Sequence, residues 1–543
     1  SSQSRGLGDV YKRQVCGLYM SEAPILKDTN RSTGRDALQK NIQAALALSG
    51  AIRSTLGPRG LDKLLIDDDG RVLVTNDGVT VLETAKVEHP VAKMMINASS
   101  TQDRIAKDGT TTTVVLAGEM LQNAWELILQ GIHPATIARG FRNAEQFVLS
   151  SIEQFAISGN EDLFYQVIST SLSGKGHTSM QNRITELSLE AVKILDTNKQ
   201  QEFIDSSKIK IISQTGGQIE ESYLVQGLAL PKKRMSSDMP KEINDGKILL
   251  IDGGLEFRSM ATDVKLNVTS AGVFNSFREK ELQLLQKKAE KIKQLGVNVV
   301  ACREGIDDSV KKILVESGIQ AYRRVAKSDL NLLAKACNGI LVNRIEDAGQ
   351  KDLGNFESSN NISADGKDLW VLSSTGCGVT IIAKGSTVDV VGEVERCLDD
   401  ALGVAIQLYE NNQILCGGGA TYVALARALR RFAESVPGRE QLAIEAFADA
   451  IEVVVRILAE NAGQDPIACL LDVVAQQANL NSAHIGINLS TGKSADMKEL
   501  GVLEPMGIVK QAIIGATEVS ISVLRIDDVL WAKQDVEIPD LAE

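Results

Sequence analysis

Apolar residues recur along the first third of the chain at helical spacing. Between Asp36 and Leu56, positions Leu38, Ile42, Ala45, Leu46 and Ile52 keep close to a 3.6-residue period, and the run stops at Gly57-Pro58. KLLI, an Asp67-Asp68-Asp69-Gly70 turn and RVLVT then read as a hairpin that runs into Asn76-Asp77-Gly78. Helical spacing returns from Val114 to Leu129, with a threonine run at its start, so residues 36–160 predict a mostly helical unit carrying one hairpin. From about residue 230 to 385 short β-rich runs (KILLID, VNVVAC, AYRRV) alternate with helices at Arg278 to Leu295 and Asp308 to Glu316. Long helices then resume. Gln441 to Asn461 carries Ile444, Phe447, Ala448, Ile451, Val455 and Leu458 on one face, and the tail at SISVLRI reads as β-like. The α/β stretch is thus expected to be inserted between two helical halves that must fold together.

Length agrees with several bodies: 543 residues at about 150 per domain gives roughly three. Apolar residues make up 43% and aromatics 4%, which suits cores of Ala, Val, Ile and Leu. Acidic residues outnumber basic ones by 70 to 58, a formal charge of −12, which argues against nucleic acid or an anionic membrane as partner. Seven cysteines are scattered without a C-x-x-C pair, and the four histidines are isolated, so neither a disulfide framework nor a zinc site is expected. No apolar run approaches the roughly 20 residues that span a bilayer, and the expected location is cytoplasmic. Residues 1–19, SSQSRGLGDVYKRQVCGLY, lack an apolar signal core and any clear period, and their GLGDVYKRQ stretch resembles translated adapter sequence. They are read as a non-native extension, with Met20 as the native start.

Candidate chemistry concentrates in three turns within about 60 residues: TLGPRG (Thr55 to Gly60), NDG (Asn76 to Gly78) and KDGTTTT (Lys107 to Thr113). Hydroxyl residues and glycine at a helix start usually only cap it. Three together also suit a polyphosphate, because glycine lets phosphate oxygens approach the backbone and a helix N-terminus offers unpaired N–H groups. Carboxylates there would repel phosphate unless a cation intervenes, and Asp77 and Asp108 are placed to serve Mg²⁺. Glu393, Glu395, Asp399 and Asp400 in GEVERCLDDAL, taken alone, read as a solvated helix face. GINLSTGKS (Gly486 to Ser494) imitates a phosphate-binding G-x4-G-K-[ST] loop but has one residue too many between its glycines; a surface hairpin is the better reading.

TLGPRGLDKLL, VTNDGVTVLETAKVEHPVAKM, DGTTTTVVLAGEML, GGGATYVALA, AIEAFADAIEVVVRILAENAGQDPI and GVLEPMGIVKQAI resemble the group II chaperonins, the archaeal thermosome and its eukaryotic cytosolic relatives. The resemblance runs from about Ser21 to Lys533. It implies an α/β multidomain chaperonin fold. A mostly helical equatorial ATPase domain would take residues 20–162 and 419–543, an intermediate hinge domain 163–232 and 385–418, and an inserted α/β apical domain 233–384, with a helical protrusion at about 270–290. It implies ATP and Mg²⁺ as cofactors, ATP hydrolysis coupled to protein folding, non-native polypeptides as clients, and a homo- or hetero-oligomeric double ring of eight or nine subunits per ring, closed by a built-in lid. Motif by motif, Thr55, Leu56, Gly57 and Pro58 would contact the nucleotide, with Asp77 beside the catalytic centre. Asp108 would hold Mg²⁺, and Gly109, Thr110, Thr111 and Thr112 would cradle the phosphates. Lys175 in SLSGKG would sense the γ-phosphate and Asp400 would activate the attacking water. Gly418, Gly419, Asn488, Leu489 and Glu504 would surround the adenosine. Val273, Phe274 and Phe277 would serve client or lid contacts, core packing being the plainer use of such residues.

The chain departs from the family pattern at Lys107, where the motif is usually G-D-G-T-T, and at Arg104, where an acidic residue is common. If position 107 requires φ > 0, lysine is strained there by about 1 kcal/mol or more. Its ammonium could then pair with Asp108 or a phosphate, and the hydrolysis rate is left open. The alternatives are a ring- or filament-forming structural protein with regulatory ATP binding, and a phosphotransferase using the same site.

Overall fold

The computed structural model describes residues 29–66, 70, 72–85, 87–197, 204–256, 271–364, 367–374 and 378–532. The extension read at residues 1–19 lies outside the described residues, as does the first part of the protrusion segment.

One helical body draws on both ends of the chain. Helices Gly34–Arg53, Pro90–Ala106, Thr110–Leu129 and Pro134–Ser151 share a single core with Ala420–Ala433, Glu440–Ile451, Val453–Asn461, Pro466–Leu480 and Met506–Leu524. The threonine-started helix Thr110–Leu129 lies at its centre, against Gly34–Arg53 and Met506–Leu524. Its Leu116, Met120 and Leu121 are fully buried, and each such side chain contributes about 1.5–3 kcal/mol on leaving water.

Two helical expectations need correction. SISVLRI is not a strand: Ser520 to Leu524 closes the helix Met506–Leu524. Its buried residues Ile508, Val509, Ala512, Ile513, Ala516, Val519, Ser520 and Val523 follow helical spacing, so tertiary burial overrides the β-branched composition. By length and composition this helix could cross a membrane, yet 61% of it is buried inside the protein. The helix expected over Gln441 to Asn461 is instead two, separated at Glu452, whose carboxylate takes two bonds from Arg430 at 2.6 and 2.7 Å.

A second core joins helices Glu161–Ser171, Thr178–Thr197 and Val388–Glu410 to a three-stranded sheet of Ile209–Thr215, Val379–Gly385 and Tyr223–Gln226. The third body holds a seven-stranded sheet. Gln320–Tyr322, Val299–Cys302 and Glu242–Ile251 run parallel, and Gly354–Ala364, Lys367–Ser373 and Leu228–Leu230 continue antiparallel; Leu341–Val342 also pairs with Glu242–Ile251. Ile248 to Ile251 is apolar throughout because both faces are covered: Leu249 and Ile251 enter one core, Ile248 and Leu250 the other. The charged helix begins at Ala271 rather than Arg278, so Val273, Phe274 and Phe277 fall in its first turns; their side chains lie outside the described residues.

At one side of the helical body Thr29–Thr33 pairs antiparallel with Asp528–Ala532. The hairpin Lys63–Ile66/Val72–Thr75 is a separate two-stranded ribbon, and its Leu64, Ile66, Val72 and Val74 are exposed.

Candidate functional site

A cavity of about 410 Å³ opens where the helical body meets the helix Val388–Glu410. Its walls come from turns that only particular residues can form.

The first helix ends at Thr55-Leu56-Gly57-Pro58. Gly57 has φ +83°, and a Cβ there would stand 2.4 Å from Leu458 Cδ2, so the turn needs glycine twice over. Asn461, from the other end of the chain, donates to the Leu56 carbonyl at 2.9 Å and the Arg53 carbonyl at 3.2 Å. The second wall is the start of helix Gly78–Thr84, where Asp77 is the N-cap. Its Oδ2 accepts from the Thr80 N–H at 2.9 Å and the Thr80 hydroxyl at 2.5 Å.

The third turn joins helices Pro90–Ala106 and Thr110–Leu129 through Lys107, Asp108 and Gly109. Lys107 (φ 57°, ψ 5°) and Gly109 (φ 77°, ψ 15°) are both left-handed, and together they aim Asp108 into the cavity mouth. Asp108 Oδ1 accepts from the Gly109 N–H at 2.7 Å, while Gln102 donates to the Asp108 carbonyl at 2.7 Å. The N–H groups of Thr110, Thr111 and Thr112 belong to the first helical turn and have no carbonyl partner within their helix. The fourth threonine differs. Both the Thr113 N–H and its hydroxyl donate to the Gly109 carbonyl, each at 3.0 Å.

Lys175 arrives in a turn after helix Glu161–Ser171, between left-handed Gly174 and Gly176. Its Nζ donates to Asp400 Oδ2 at 2.5 Å, across 225 residues of sequence. Asp400 lies on Val388–Glu410, so the acidic run expected to be a solvated face is divided by its helix. Asp400 turns inward, Asp399 takes the Lys107 ammonium at 2.7 Å, Glu395 accepts from Ser213 at 2.6 Å and Glu393 pairs with Arg396.

The far wall is built from Gly418 and Gly419, Asn488 and Leu489, and Glu504. Both glycines are left-handed, and a Cβ on Gly419 would stand 2.2 Å from Val455 Cγ2. GINLSTGKS forms the expected hairpin, Ile485–Asn488 with Lys493–Asp496, which brings Asn488 and Leu489 to the cavity. Glu504 sits in a short strand paired with Gln413–Cys416.

Burial pushes the Asp400 carboxyl up to about 6, with Lys175 opposing the rise and Asp108 and Asp77 adding to it. Asp108 is raised for the same first reason, against Lys175 and its bond from Gly109. Burial works against the Lys175 charge, but Asp400 and then Asp108 outweigh it and hold the ammonium above its usual range. Burial likewise lifts Glu504 to about 8, with Asp108 adding to it.

Every residue predicted for a nucleotide, from Thr55 to Glu504, lines this one cavity. The predicted client or lid residues Val273, Phe274 and Phe277 belong to the third body instead. Sequence reasoning missed Thr170, Ser171, Tyr422 and Met497, which also line it and carry no local signal. The Lys107 ammonium pairs with Asp399 rather than with Asp108. Among the described residues no three His, Cys, Asp or Glu side chains gather as a metal cage. A divalent ion at Asp108 would therefore complete its shell with phosphate and water, as Mg²⁺ commonly does.

The model of the TCP-1/cpn60 chaperonin family matches residues 48–534. The thermosome subunit beta of Thermoplasma acidophilum is 41% identical over 518 residues, covering 94% of this chain and 95% of that subunit. The subunit beta of Archaeoglobus fulgidus is 42% identical over 520 residues, 94% of each chain, and the thermosome subunit of Methanocaldococcus jannaschii is 40% identical over 528 residues, 95% and 97%. Near-complete coverage by these archaeal subunits, together with the family match, establishes that the chain belongs to the TCP-1/cpn60 chaperonin family, within its group II branch.

Proposed function

We propose that the cavity binds Mg·ATP and that Asp400 activates the water that hydrolyses it. The protein is an ATP-dependent chaperonin whose ATPase is coupled to folding. The thermosome relatives favour this over a purely structural ring or filament. The observation that carries the assignment of the site is the meeting of Asp77, Asp108, the Lys175–Asp400 pair and the open N-terminus of Thr110–Leu129 around one cavity.

In this reading, Gly109, Thr110, Thr111 and Thr112 present N–H groups and hydroxyls to the phosphates, and the helix dipole favours the charge. Thr55, Leu56, Gly57 and Pro58 close over them. Asp108 anchors Mg²⁺, which would neutralise phosphate charge when bound. Lys175 donates to the γ-phosphate, and Asp77 holds the neighbouring turn. The Asp400 carboxylate takes a proton from water as the water oxygen bonds to the γ-phosphorus, the bond to the bridging oxygen breaks, and ADP leaves. Gly418, Gly419, Asn488, Leu489 and Glu504 surround the adenosine, the raised Glu504 carboxyl being able to donate a hydrogen bond at neutral pH.

The helical body would be the equatorial domain (20–162 and 419–543), the second core the intermediate domain (163–232 and 385–418) and the seven-stranded body the apical domain (233–384). A cytoplasmic double ring of eight or nine subunits per ring would enclose non-native polypeptides. Val273, Phe274 and Phe277 would line the client or lid surface. The test is Asp400→Ala: ATP still binds, and hydrolysis falls at least tenfold. Turnover at the parent rate would reject the role of Asp400.

A further inference from the structure

The departure at Lys107 has a structural counterpart on the helix beside it. Its backbone holds the left-handed end of helix Pro90–Ala106, immediately before Asp108, and its side chain, at the edge of the cavity, reaches the neighbouring helix Val388–Glu410. The Lys107 stem lies on Gly403: a Cβ built there would stand 2.3 Å from both Lys107 Cβ and Cγ, so the close approach depends on a glycine one turn beyond Asp399. The ammonium then donates to Asp399 Oδ2 at 2.7 Å, and the next residue along the helix is Asp400. A second tie lies further along the same helix. Gln407 donates to the carbonyls of Ala106 at 2.8 Å and Ile105 at 3.4 Å, the last residues before Lys107.

We infer that Lys107 is a positioning residue that clasps helix Val388–Glu410 to the nucleotide turn, raising the fraction of time Asp400 stands at the γ-phosphate. The inference rests on the reading of Asp400 as the water-activating group. Lys107 touches no reacting atom; it acts through Asp399 on the placement of the adjacent carboxylate. The Lys107 and Asp399 side chains are 32% and 59% exposed. A pair so placed is worth at most about a fivefold change in the docked population, and a twofold to fivefold effect is the scale to expect.

The test is single-turnover hydrolysis with ATP affinity measured separately, on the full-length protein in its assembled form. Lys107→Gly suits the left-handed backbone better than lysine, so a slower variant cannot be put down to misfolding. The expected result is hydrolysis about twofold to fivefold slower with Kd for ATP unchanged from the parent. Lys107→Arg restores at least half of the rate, Asp399→Asn reproduces the loss, and the double variant Lys107→Gly/Asp399→Asn is no slower than either. An unchanged or faster Lys107→Gly overturns the clasp, as does a loss that multiplies in the double variant. A weakened Kd in Lys107→Gly would also overturn it, by making Lys107 a nucleotide ligand. Asp400→Ala run alongside separates the two readings: its turnover at the parent rate defeats the role of Asp400, whereas a dead Asp400→Ala beside a parent-like Lys107→Gly defeats the clasp alone.

Discussion

Asp400 meets an ammonium at 2.5 Å and yet its carboxyl sits up at about 6, because burial outweighs the ion pair. The sign of the pH effect follows. A base must be ionised to accept a proton, and Asp400 is ionised above about 6 and protonated below it. Single-turnover hydrolysis should therefore fall as the pH drops, to about one tenth of its plateau at one unit below the midpoint. A rate–pH profile whose acid limb lay in the ordinary carboxylate range would contradict this. The same residue shows what local reading misses. Asp399 and Asp400 look alike in GEVERCLDDAL, and their opposite fates depend on cations 292 and 225 residues away. The positive φ at Lys107 was legible as a conditional expectation, since the chaperonin motif usually has glycine at that position. Its partner across the chain was not.

Elements that announce themselves by period came through best. The helix ending before Gly57, the hairpin at KLLI/RVLV and the apolar strands of the inserted sheet all follow from spacing and turn chemistry. SISVLRI misled because β-branched residues near a chain end resemble a strand when the preceding helical register is left out. That register, Ile508, Val509, Ala512, Ile513 and Ala516, was present in the sequence. The hairpin also carries a prediction. A lone two-stranded ribbon is marginally stable in water, and this one exposes Leu64, Ile66, Val72 and Val74. If it lies between subunits, Leu64→Asp with Val74→Asp should lower the assembled mass seen by native mass spectrometry while leaving the far-ultraviolet circular dichroism of the subunit unchanged. Intact assemblies in that variant would remove the hairpin from the interface.

At the scale of the molecule, the three bodies differ in how they are assembled from the chain. The seven-stranded body carries both of its cores within residues 228–372. Expressed alone, that segment should unfold in one cooperative thermal transition, measured by circular dichroism; a non-cooperative melt would show that it needs its neighbours. The change of texture at about residues 230 and 385 pointed to a separate α/β stretch, and both of these cores fall between those positions. The helical body is the opposite case, since the cavity has one wall from Thr55 to Thr112 and another from Gly418 to Glu504.

That division has a consequence in time. The Ser520 hydroxyl bonds to the Ala117 carbonyl at 3.3 Å across 403 residues, in the core beneath the cavity. At ribosomal rates of 5–20 residues per second, the central helix waits about 20–80 s after its own synthesis for the helix that covers it. Until then the face that packs on Met506–Leu524 is uncovered and the cavity lacks its second wall. A growing chain of this protein is thus for most of its synthesis itself a non-native polypeptide, of the kind its finished form would enclose.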